Sequence, residues 1–296
     1  MPDARAVLQR PDLPALLERL GLRRDDVDDL AVVVATVLGR PAELAEVDRL
    51  ADAVRRGVGR FPGEADREEW PGYLPAADPH GVGVLPLLAL VVTVPDLVAF
   101  HTARGVPAAV TAATLRELGQ QVWVHRLTYG ALGLHTYGWL LVTWSGSLYW
   151  LGRLQFNLQR LETGWVCSTH IPRSGPLDPA AVDDALATAS RFFPEHFPDH
   201  PVQDFWCSSW LLDPTLAAAL DPAANMARFQ ARWRLYGEPM PGDEDALFFT
   251  FARRGDVDLD ALPQDTTLQR AIVARLRSGD HWSVRTGLLP LRGVTA

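Results

Sequence analysis

The stretch 167-CSTHIPRSGPLDPAAVDDALATASRFF-193 decides the fold. It reads as a strand, a short turn holding Ser174 and Gly175, and a helix that opens on Asp178-Pro179, since Asp is a preferred cap and proline suits the first helical turn. A loop that feeds a helix N-terminus presents unpaired N–H groups and a partial positive charge, which suits an anion such as a phosphate. An ordinary capped turn is the other reading. Asp178 favours it, because a carboxylate cap competes for the same amides.

Outward from this stretch, 151-LGRLQFNLQRL-161 alternates cleanly, with Leu154, Phe156 and Leu158 on one face and Arg153, Gln155, Asn157 and Gln159 on the other. Glu162-Thr163-Gly164 reads as a hairpin turn into 165-WVCSTHI-171. Beyond the helix at 179–193, residues 202–212 read as a strand and 213–220 as a short helix capped by Asp213. Residues 228–236 and 246–254 read as an antiparallel pair, 266–278 as a helix, and the remainder as an irregular tail. Strand texture begins near 139.

The first part of the chain reads as helical. Leu13, Leu16, Leu17 and Leu20 recur at helical spacing, as do Leu44, Val47, Leu50 and Val54 in 42–59, and Val110, Leu115, Leu118, Val122 and Leu127 lie roughly on one face of 107–127. Residues 60–83, rich in Pro, Gly and charge, read as a connection. The apolar run 82–100 is interrupted by Pro86, Pro95 and Asp96, which predicts a buried helix broken near Pro95 rather than a membrane span. These patterns predict an α+β protein: a helical N-terminal region followed by a mixed sheet flanked by helices.

Composition narrows the function. With 28 basic residues against 36 acidic, the net charge of −8 offers no electrostatic footprint for nucleic acid or an anionic membrane. The chain contains no lysine, which excludes lysine Schiff-base chemistry. Two cysteines are too few for a disulfide framework and the start carries no apolar leader, so a reducing cytoplasm is expected. Cys167-x2-His170 and His196-x3-His200 have spacings zinc could use, but a strand aims Cys167 and His170 at opposite faces, and no metal is expected. No G-x-S-x-G elbow, Walker loop or G-x-G-x-x-G is present. The Cys207-Ser208-Ser209 run sets small polar groups in an otherwise apolar strand, as a ligand-facing strand would, or as a strand admitting a close neighbour.

Four ordered segments, GRLQF (152–156), HIPxSGPL (170–177), SSWLLDPxL (208–216) and NMxRFQxRW (225–233), make the chain resemble the two-domain bacterial acyltransferases that join an N-acyltransferase N-terminal domain to a GNAT-like C-terminal domain. The resemblance implies a helical domain over 1–127 and a GNAT-like, mostly antiparallel sheet domain over 128–296. It further implies acetyl-CoA or a longer acyl-CoA as co-substrate and a small-molecule amine or peptide as acceptor. Ile171, Arg173, Ser174 and Gly175 would hold the CoA phosphates. His170 would serve as base, and Cys207 or Ser209 would protonate the leaving thiolate. Gln155, Trp210 and Asn225 would orient substrate, and 204–212 would splay from the preceding strand to open the cleft.

The chain departs from the usual GNAT pattern in two places. Its phosphate loop keeps one glycine and carries prolines at 172 and 176, and 213-DPTLAAALDP-222 lacks the tyrosine that often protonates the thiolate. Two readings follow: an acyl-CoA-dependent N-acyltransferase, and a non-catalytic binding module on a degenerate GNAT fold.

Overall fold

A computed structural model describes residues 3–64 and 78–291; much of the connection expected over 60–83 lies outside the described residues. The chain divides into two units, Met1–Trp150 with Asn157–Leu161, and Leu151–Phe156 with Glu162–Ala296.

The first unit is built on nine helices among its described residues: α1 (Ala4–Leu8), α2 (Leu13–Arg19), α3 (Arg24–Leu38), α4 (Pro41–Gly57), α5 (Val84–Val92), α6 (Val94–Ala103), α7 (Ala108–Leu115), α8 (Glu117–Tyr129) and α9 (Tyr137–Trp144). Every residue of α5 is buried, which is how a helix apolar on all sides is accommodated in a core. The run breaks at Thr93, with a 44° bend into α6, because Pro95 in the first turn of α6 has no N–H to continue the ladder. No single described helix is long and apolar enough to cross a membrane. Two close approaches fix the helical packing. A Cβ on Gly119 would lie 1.9 Å from the carbonyl carbon of Gly21, so backbone meets backbone there. Arg126 donates to the fully buried Asp26 at 2.6 Å and to Asp29 at 2.5 Å.

Strand texture near 139 proves to be helix α9, followed by β1 (Leu148–Leu151). The aromatic and branched residues of 137–144 favour a strand locally, but Tyr137, Leu140, Leu141 and Trp144 recur at helical spacing and all are buried. Packing overrides propensity here.

One mixed six-stranded sheet runs in the order β1-β2-β3-β4-β6-β5. Its strands are β1, β2 (Leu154–Leu161), β3 (Gly164–His170), β4 (Val202–Ser209), β5 (Arg234–Pro241) and β6 (Ser283–Pro290). Helix α10 (Pro179–His196) connects β3 to β4, which are parallel, and it buries Val182, Ala185, Leu186, Ala189, Phe193 and His196 on one stripe. It runs past the expected end at 193 and through Pro194. Helices α11 (Pro214–Ala219), α12 (Asn225–Gln230), α13 (Asp243–Phe251) and α14 (Thr267–Arg277) complete the second unit.

The antiparallel pair expected from 228–236 and 246–254 does not form. Residues 246–251 belong to α13, whose first turn carries Asp243, Glu244 and Asp245, acids that favour a helix N-terminus. The antiparallel partner of β5 is β6, from the tail that reads as irregular in sequence. Gln155 and Asn157, on the polar side of β2 by alternation, are buried at 2% and 3% exposure, so both faces of that strand are covered at these positions.

Candidate functional site

The site grows from the way β3 meets β4. The two strands pair in parallel as far as Ser168 opposite Trp206, and both continue beyond that register, β3 to His170 and β4 to Ser209. On its other edge β4 stays paired with β6 through Ser209 opposite Arg285.

Register assigns the side chains to faces, because residues opposite one another share a face and alternate residues return to it. Ser168 and Trp206 are opposite, as are Trp206 and Leu288, Ser208 and Thr286, Arg234 and Leu288, and Tyr236 and Thr286. One face therefore carries His170, Trp206, Ser208, Thr286 and Leu288, all half-buried, and the exposed Arg234 and Tyr236. The opposite face carries Cys167, Phe205, Cys207 and Gly287, all buried. That face is covered in part by Trp233 and Leu212, which would touch any Cβ on Gly287.

His170 and Cys207, paired as base and acid in the sequence reading, thus lie on opposite faces. Burial pushes the Cys207 thiol up to about 12 and holds Cys167 well above its ordinary value. A free thiol titrates near ~8.5, so proton transfer from Cys207 to a departing alkyl thiolate runs uphill. Ser208 shares the face of His170, as do Ser168 and Thr286, a fact that only the strand register reveals. Ser209 caps a 3-10 turn at 210–212, its Oγ accepting from the Leu211 N–H at 3.1 Å.

His170 keeps part of its surface open, yet the protein around it lowers its pKa to about 4, so the ring is neutral at pH 7. Its Nε2 lies 3.3 Å from Ser168 Oγ. A neutral imidazole can accept a proton.

The loop between His170 and α10 has an organiser that the sequence reading left unassigned. Arg153 Nε donates to the Pro176 carbonyl at 2.8 Å, Nη2 to the Gly175 carbonyl at 2.6 Å, and Nη1 to the Pro172 carbonyl at 3.2 Å and Ser174 Oγ at 3.4 Å. Arg173 and Ser174 are exposed, Ile171 is half-buried, and Gly175 sits at φ +124° with open space around it. The helix start offers little to an anion. Pro179 has no N–H, the Asp178 carboxylate accepts from Ala181, and the Asp178 carbonyl accepts from Val182.

The remaining expected substrate residues are dispersed. Trp210 is 3% exposed and packs edge-on against Trp282 at 6.0 Å in a core with Leu216, Ile272 and Val284. Asn225 begins α12, and Gln155 is buried in β2. The motif residues around them brace the scaffold. Gln230 donates to the Leu211 and Asp213 carbonyls, and the Asp213 carboxylate accepts from Thr215 and from Ser283 N and Oγ. Burial raises the pKa of Asp213, but those hydrogen bonds outweigh it and hold the carboxyl below its ordinary value. Among the described residues no group of three or more His, Cys, Asp or Glu is placed to hold a metal ion.

Comparison with known proteins fits this geometry. The family model for an N-acyltransferase N-terminal domain matches residues 11–146, and that for a GNAT-like C-terminal domain matches 148–289. Among solved structures, an acyltransferase in complex with CoA and 10C-teicoplanin is 32% identical, covers 96% of this chain and 89% of its own, and superposes with a TM-score of 0.88. An acyltransferase in complex with decanoyl-CoA is 33% identical over 95% and 88% of the two chains, with a TM-score of 0.87. An acyltransferase mutant in complex with octanoyl-CoA is 33% identical over 93% and 86%, with a TM-score of 0.85. No curated relative matches the chain.

Proposed function

Because the chain belongs to the family of two-domain acyltransferases, we propose that it moves a medium-length acyl group from a CoA thioester to an amine on a small-molecule or peptide acceptor of the glycopeptide kind. The observation that carries this reading is the end of β3–β4 pairing at Ser168–Trp206, with His170 and Ser208 beyond it on one face. Support for the acyl donor and acceptor comes from relatives in complex with octanoyl-CoA, decanoyl-CoA and teicoplanin, at about one-third identity over nearly the whole chain. That similarity extends over both domains and favours the enzyme over a non-catalytic module.

In the proposed reaction the amine nitrogen bonds to the thioester carbon, and backbone N–H groups of β4 facing the gap polarise the carbonyl. The nitrogen of the resulting zwitterionic intermediate is acidic, so the weakly basic, neutral His170 suffices to take its proton, directly or through water. The C–S bond then breaks, and the departing thiolate takes the proton from the imidazolium of His170, directly or through water, which returns the ring to its neutral form. Cys207 has no part in this scheme.

The test is to incubate the protein with decanoyl-CoA and a glycopeptide bearing a free amine, following thiol release and the acylated product by mass spectrometry. Stoichiometric thiol and amide are expected. His170→Gln should slow turnover by roughly 100-fold or more, within the range for loss of a general base. Absence of amide across a panel of amines, with the protein folded, would overturn the proposal.

A further inference from the structure

We propose that Arg153 is a positioning residue for the phosphates of the acyl-CoA donor, an inference that rests on the acyl-CoA reading above. Arg55, Arg126 and Arg232, also part-buried, each face a carboxylate, whereas the half-buried Arg275 and Arg285 each donate to a single backbone carbonyl. Arg153 pairs with none among the described residues; its partners are three backbone carbonyls and one hydroxyl, all in the loop 172–176. Burial lowers its pKa from 12.5, but a guanidinium stays charged in a protein, so a positive charge without a counter-ion sits directly behind the loop.

The hydrogen bonds set the direction of the peptide groups. All described peptide bonds are trans, so each N–H points away from the C=O of its own plane. The carbonyls of Pro172 and Pro176 turn toward Arg153, and the N–H groups of Arg173 and Leu177, which share those planes, turn outward. A cation on the oxygen end of each plane polarises the amide and strengthens its N–H as a donor. The exposed Arg173 side chain adds a second cation on the loop. The helix start is largely occupied by Asp178 and Pro179, so the attraction for a pyrophosphate comes from this braced loop. Two prolines in the loop are compatible with that role, because the amides that matter belong to 173 and 177.

The experiment is calorimetric titration of the full chain with octanoyl-CoA and with octanoyl-pantetheine, which keeps the thioester and lacks the nucleotide phosphates. Wild type should bind octanoyl-CoA at least ten-fold more tightly. Arg153→Gln should lose that ten-fold preference and keep its affinity for octanoyl-pantetheine. Arg153→Lys, which retains the charge but not the planar fork, should fall between. Equal octanoyl-CoA binding by wild type and Arg153→Gln overturns the proposal, as does parallel loss of both ligands, which marks a merely structural role. Equal affinity of wild type for the two thioesters overturns the role of Arg153 and leaves the acyltransferase reading standing. No binding of either thioester by wild type overturns both.

Discussion

Acidification should weaken the helical unit through His101. This side chain is fully buried near the end of α6, with Nδ1 3.1 Å from Thr111 Oγ1, Nε2 without a partner among the described residues, and its ring 4.9 Å from that of Tyr149. Burial lowers its pKa from 6.5 to about 4. The folded state thus prefers the neutral ring, whereas the unfolded chain begins to protonate below pH 6.5. Stability present above that pH is lost as pH falls toward 4, and the loss is complete below it. Taking 1.36 kcal/mol per unit, the linkage costs about 2 kcal/mol at pH 5 and about 3 kcal/mol below pH 4. Urea unfolding followed by circular dichroism at pH 7.5 and pH 5 measures this directly. His101→Leu removes the titrating group and one hydrogen bond, so it should be about 1 kcal/mol less stable at pH 7.5. It should then lose about 2 kcal/mol less than wild type on going to pH 5. Equal losses in the two proteins would refute the reasoning.

Gly119→Ala should cost more than about 2 kcal/mol, because its methyl meets the Gly21 backbone, whereas Gly138→Ala in α9, with open space around it, should be neutral or stabilising by up to about 1 kcal/mol; thermal unfolding of the pair decides. Arg126→Met leaves the fully buried Asp26 without its cation and should cost about 3–5 kcal/mol by chemical denaturation. Cys207→Ala should keep turnover within about two-fold of wild type, since its thiol is buried on the face away from His170. The pH–rate profile should show no step from His170 between pH 5 and 8, and an inflection near 6.5 abolished by His170→Gln would contradict its lowered pKa.

The sequence carried much of the fold in its periodicity. The strand, loop and helix of 167–193, the hairpin turn at 162–164 and the break in the apolar run all stand in the structure. What it did not carry is tertiary in origin. Residues 137–144 have strand-like composition and fold as a helix because their buried stripe recurs at helical spacing. Residues 246–254 look like a strand until the acids ahead of them are weighed as a helix start. The candidate site is legible in the sequence only at His170 and the loop after it. Its remaining members depend on register, since a one-residue step along β4 separates the half-buried Ser208 from the buried Cys207. Arg153 was placed on the polar side of an alternating strand, but its task depends on a loop some twenty residues away, which alternation cannot reveal.

The covered face of β3 and β4 has a practical use. Cys167 and Cys207 are the chain's entire complement of thiols, and both lie beneath that surface. A thiol-reactive dye therefore finds nothing to modify until the sheet parts. Its labelling rate, read over hours in native buffer, becomes a clock for spontaneous opening of the catalytic half. Slowing of that clock by a bound thioester would report occupancy without knowledge of the acceptor.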